Sequence, residues 1–188
     1  MSMIKGIADN FIRMFQTDNT FVKANQDEIY GLKSLNADRV SAFMEFYLEY
    51  NPNNVKMTDS YVTLLSIERM LAEKATGEGR YLSDIGFIVF AITVGGNPIC
   101  LDVNATKNGD APVYICNHNL CSWNEKYGYA EIGWPSEKLM EKITDKSRPI
   151  ELTYENALLC VKLVENSFVE FMKKLSENIY DDLEGYLD

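Results

Sequence analysis

The stretch Phe87–Asn104, FIVFAITVGGNPICLDVN, is two apolar runs joined by a glycine pair. Its reading decides the fold. A loop that holds phosphate needs glycines, so that backbone N–H groups can approach oxygen, followed by a helix N-terminus or a lysine. Here Gly95 and Gly96 follow one strand-like run and lead into another, Pro98 to Val103, and neither G-x-G-x-x-G nor G-K-[ST] occurs. Tight turns between strands require positive φ, which glycine supplies. The pair therefore predicts a hairpin. Phe87 to Val94 is rich in Phe, Ile and Val at both parities, as in an interior strand covered on both faces.

Working outward, Val113 to Cys116 is a third strand candidate, reached through the turn-forming loop NATKNGDAP. Lys126 to Trp134, KYGYAEIGW, is a further strand or an aromatic loop. Upstream, Ile4, Ile7, Phe11 and Phe15 recur at helical spacing. Asn36 is placed as the N-cap of a second helix, with Val40, Phe43, Met44, Tyr47 and Leu48 on one face and the turn-forming NPNN at 51–54 as its stop. Tyr61 to Leu65 reads as a short β run. A helix capped by Ser66 follows, with Ile67, Met70 and Leu71 buried, and Gly77 and Gly79 end it. A long closing helix starts at Thr153, with Val164, Phe168, Phe171, Met172, Leu175 and Ile179 on one stripe. Hairpin-length links imply antiparallel pairing. The expected class is α+β: a single domain over residues 1–188, with a central antiparallel meander flanked by helices.

The 188 residues are 46% hydrophobic, enough for a sizeable core. The apolar run of the opening stretch falls far short of the roughly 20 residues that span a bilayer. With no export signal in MSMIKGIADNF, a cytoplasmic chain is expected. Cys100, Cys116, Cys121 and Cys160 are then expected as free thiols. The chain has 18 basic and 28 acidic residues, a net charge of −10. That balance argues against nucleic acid and against an anionic membrane surface. It suits a basic protein partner, whose approach the field accelerates. Residues 176–188, SENIYDDLEGYLD, hold five of the acids and no Lys or Arg, which reads as a solubilising acidic tail.

Candidate chemistry is sparse. His118 is the single histidine, and Cys116, His118 and Cys121 form C-x-H-x-x-C, three soft ligands without an evident fourth. A zinc or thiol protein built on them is the lesser alternative. No catalytic residue and no cofactor are expected. Asp84, Asp102, Asp110, Glu125 and Glu131 flank the strand region, mainly as solvated charge. The segment NLCSWNEKYGYAEIGWP groups Trp123, Tyr127, Tyr129 and Trp134 with Glu125 and Glu131. Trp123 and Trp134 are read as covering the core under a loop, with a protein-binding role as the alternative.

The segments DEIYGLKSLNADRVSAFMEFYLEYN, VTLLSIERMLAE, FIVFAITVGGNPICLDVNATKNGDAPVYICNHN and ENSFVEFMKKL, in this order, resemble the SUKH superfamily. That superfamily contains fungal cell-wall-synthesis regulators and bacterial immunity proteins that neutralise toxins. The likeness spans roughly residues 25–175. The chain departs from the family pattern at Asn36, where proline is usual, and at YNPNN, which replaces an NGG turn. It departs again at Asn97 and Asn117, which replace acids, and in a longer insert over 123–147. The resemblance implies a non-enzymatic protein-binding domain. Its partner is a basic toxin domain of nuclease type in the immunity reading, or a regulatory partner in the scaffold reading. Asp102, Asp110, Trp123, Glu125, Tyr127, Tyr129 and Glu131 are the expected contact residues.

Overall fold

The computed structural model describes residues 3–15, 21–53 and 61–187. The side chain of Phe15, together with Asn54 and Asp188, lies outside the described residues. In chain order the elements are α1 (Met3–Phe15), β1 (Phe21–Val22), α2 (Gln26–Ser34), α3 (Ser41–Glu49), β2 (Asn51–Pro52) and β3 (Val62–Leu64). Next come α4 (Ile67–Ala75), α5 (Gly77–Asp84), β4 (Phe87–Thr93), β5 (Pro98–Asp102) and β6 (Val113–Ile115). The chain continues with β7 (Cys121–Asn124), β8 (Tyr129–Ile132), α6 (Glu137–Lys142), α7 (Tyr154–Leu158), β9 (Lys162–Glu165) and α8 (Phe168–Ser176). The fold is α+β. Its main sheet has the order β3-β4-β5-β6-β9, with every pair antiparallel.

The opening stretch is the β4–β5 hairpin. Gly96 has φ +83°, and its N–H donates to Thr93 O at 3.0 Å, closing the turn. Every residue of β4 except Ile92 is buried, as is all of β5. The register slips between Val89 and Ala91, so Phe90 is the extra residue of a β-bulge. The bulge turns Phe90 into the helical layer, where its ring meets Phe168 at 5.5 Å and Phe171 at 5.6 Å, edge to face. Phe43 of α3 closes the same cluster against Phe168 at 5.1 Å. This face, covered by α3 and α8, is the centre of the core.

Several local expectations are corrected. Asn36 does not cap a helix. It sits at φ 59°, a short 3₁₀ turn (Ala37–Arg39) follows, and α3 begins only at Ser41. Gly77 and Gly79 do not end the chain's helical run. Extended Thr76 breaks it, and both glycines then lie in α5. There the lack of a side chain at Gly79 matters, since a Cβ would stand 2.5 Å from Glu73 O. The long closing helix is three elements. Thr153 does cap, but only α7, and Val164 lies in edge strand β9, paired with β6. Ile179 is past α8 and exposed. Also, α2 is opened by a capping box of Asn25 and Glu28 that the apolar spacing does not reveal.

The acidic segment after α8 is packed rather than trailing. Tyr180 and Leu183 are buried. Glu184 reaches the glycine turn, where its carboxylate accepts from Gly95 N at 2.9 Å and from the Asn97 side chain. Asn97 is itself buried and accepts from His118 N at 2.9 Å. The glycine pair thus turns the chain and also holds an anion, and that anion is the protein's own.

Candidate protein-binding surface

Five of the seven expected contact residues are gathered on one element pair, β7–β8. Cys121 pairs with Ile132 and Trp123 with Ala130, and the two ends of the hairpin differ. Cys121 and Ile132 are buried and anchor the base, while Ser122, Trp123 and Glu125 are exposed toward the tip. The tip turns at Gly128, whose φ is +73°. Its N–H donates to Asn124 O at 2.8 Å.

The aromatic side chains are held rather than loose. Trp123 is 51% exposed and stacks on Tyr81 of α5, with ring centroids 6.2 Å apart and planes 19° apart. Tyr127 and Tyr129 pack at 5.8 Å, and the Tyr129 hydroxyl donates to Pro149 O at 2.9 Å. Partial desolvation, the neighbouring Tyr127 and the charges of Glu151 and Glu131 raise the Tyr129 pKa, so it stays a neutral donor. Glu131 is half-buried and accepts from Asn124 Nδ2 at 2.7 Å, which leaves Glu125 as the freer acid. Trp134 is 64% exposed, so neither tryptophan covers the core as expected.

The other two residues are elsewhere. Asp102 is a correction, because it is fully buried and offers nothing to a partner. Its Oδ1 accepts from Asn104 N at 3.0 Å and Ala105 N at 3.3 Å, and its Oδ2 accepts from the Tyr154 hydroxyl at 2.8 Å. Desolvation and that bond to a carboxylate push the Tyr154 pKa up. Asp110 is half-buried and caps α8, with Oδ1 accepting from Phe168 N at 2.9 Å and Oδ2 from Ser167. Both acids serve the loops that end β5 and begin α8.

Cys116 and Cys121 are buried, whereas His118 is exposed. Its Nδ1 lies 3.1 Å from Asn97 Oδ1 and its Nε2 lies 2.9 Å from Asn119 Nδ2. With an amide oxygen on one side and an amide nitrogen on the other, the neutral Nδ1–H tautomer satisfies both contacts. Among the described residues no three His, Cys, Asp or Glu side chains converge to hold a metal. Asp84, the remaining flanking acid, is exposed at the end of α5.

The sequence gives no sign of Tyr81, which stacks on Trp123, or of Glu73, which lines the same cavity, because the α4–α5 corner that carries them looks like a helix end. Among the described residues no helix is long and apolar enough to cross a membrane. No curated protein and no solved structure matches the chain. Residues 41–140, from α3 through the β4–β5–β6 meander and the β7–β8 hairpin into α6, match the description "SMI1 / KNR4 family (SUKH-1)". That match covers more than half of the chain, and the chain belongs to the SMI1/KNR4 (SUKH-1) family.

Proposed function

We propose that the chain is a non-enzymatic protein-binding domain that neutralises a basic, nuclease-type toxin domain by occluding it. The observation that carries this reading is the β7–β8 hairpin. It is anchored by buried Cys121 and Ile132, yet it presents Trp123, Glu125 and Tyr127 outward on a chain of net charge −10. Half-exposed aromatics held in place supply contact area at low entropic cost, and acids around them steer a basic surface. A surface that binds phosphates must be basic, so an acidic, aromatic hairpin is complementary to it. The cytoplasm, where such a toxin acts, is the compartment this function requires.

The regulatory-scaffold reading has less support where it relies on the acidic tail. Tyr180, Leu183 and Glu184 of that segment are engaged within the fold.

The test is co-expression with basic, nuclease-type toxin domains, beginning with any that a neighbouring reading frame encodes. The expected result is restored growth and a 1:1 complex on gel filtration. Growth arrest in the presence of well-folded, abundant chain would count against the immunity reading.

A further inference from the structure

The sheet face opposite α3 and α8 bears an open groove of about 530 Å³ between the α4–α5 corner and β7. The Phe90 bulge shapes it. With one residue inserted, Val89 and Ile92 come to the same face, and they form the apolar floor together with Pro98. One wall is the stacked pair Trp123 and Tyr81. The other contributes a single charged group, Glu73, which is half-buried. Among the described residues no cation or hydrogen-bond donor partners its carboxylate, and no Lys or Arg lines the groove.

An unpaired carboxylate beside an aromatic wall and over an apolar floor fits one side chain best. A guanidinium is planar, stacks on aromatic faces, is weakly hydrated and donates to carboxylates in a fork. Its three-carbon stem suits the apolar floor. Lysine's ammonium is compact and strongly hydrated, so it gains less from the same walls. We propose that this groove receives an arginine side chain of the protein partner, with Trp123, backed by Tyr81, against its plane and Glu73 against its edge. The proposal rests on the basic-partner reading above and names the residue type that reading leaves open. It also joins the groove to the hairpin, because Trp123 belongs to both.

The probe is a blocked tripeptide, acetyl-Gly-Arg-Gly-amide, titrated into the ¹⁵N-labelled full chain. The Lys and citrulline peptides serve as controls. Trp123 and Trp134 provide separate indole N–H signals, assigned with Trp123→Phe and Trp134→Phe. The arginine peptide is expected to move the Trp123 indole saturably and leave Trp134 in place. Binding should be weaker by about fivefold or more for either control peptide, the factor that corresponds to one lost cation–π or charged contact. Glu73→Gln should weaken arginine binding by a similar factor without altering the spectrum elsewhere. Equal response to arginine and citrulline, equal movement of both indoles, or no movement at all overturns the proposal. Its failure is separable from failure of the immunity reading. A chain that ignores the peptide yet protects cells refutes the groove alone. One that binds the peptide yet does not protect refutes the immunity role alone.

Discussion

Replacing Phe168 with alanine is expected to cost about 3–5 kcal/mol of folding stability, as large-to-small changes at fully buried aromatic sites do. Phe168 opens α8 and is fully buried. Its ring meets Phe43, Phe46 and Phe90 at 5.1, 6.1 and 5.5 Å. Dispersion contacts and edge-to-face geometry are lost together with the transfer free energy. Urea unfolding followed by far-UV circular dichroism measures the change. Phe168→Leu should recover part of the loss. If the alanine variant stays within about 1 kcal/mol of wild type, the range of ordinary substitutions, the aromatic cluster is not the centre of the core.

The second large effect is at Asp102. Asp102→Ala is expected to cost about 2–3 kcal/mol, from the loss of a cap and the stranding of three part-buried donors. The carboxylate ties together the 3₁₀ turn Val103–Ala105, through two backbone N–H groups, and α7, through the Tyr154 hydroxyl. Asp102→Asn keeps one amide oxygen for the N–H groups and should cost about half as much. Thermal unfolding of the three proteins decides the matter. A neutral alanine variant would mean that these donors find water, and that the burial of Asp102 is dispensable.

These two sites show what was legible in the sequence. The aromatic core was readable wherever the chain pairs with its neighbour. Phe87–Thr93, the glycine turn and Pro98–Asp102 form a local hairpin, so apolar runs and glycines specify it directly. The closing segment looks like one long helix because Val164 and Phe168 fall at helical spacing, while Lys162–Glu165 pairs across the chain with Val113–Ile115. A ladder made some fifty residues away leaves no local periodic signal and overrides propensity. By contrast, the capping box at Asn25 and Glu28 is a local signal without an apolar stripe behind it. Only Leu32 of α2 is fully buried, so the apolar pattern is thin.

The candidate surface divides in the same way. Trp123, Glu125, Tyr127, Tyr129 and Glu131 sit on one hairpin, so proximity in sequence became proximity in space. Asp102 looks like any other surface acid in sequence, and only its two loops reveal it as buried. Tyr81 and Glu73 join Trp123 through tertiary contact alone. Glu184 is a comparable case. An acid in a run of acids reads as solvent-facing, yet the positive-φ turn eighty-nine residues earlier offers it an N–H.

The most direct test of the central claim, that an acidic and aromatic hairpin is the binding surface, is association kinetics, at several salt concentrations, with a toxin domain against which co-expression shows protection. Wild type should associate fast, slowing steeply as salt rises. Glu125→Lys combined with Glu131→Lys should cut the low-salt on-rate by about tenfold and flatten its salt dependence. Glu125→Lys alone, which spares the Asn124 contact, should move it the same way by less. Unchanged on-rates and an unchanged salt slope in both variants, with folding intact, would contradict the account and place the partner on another face.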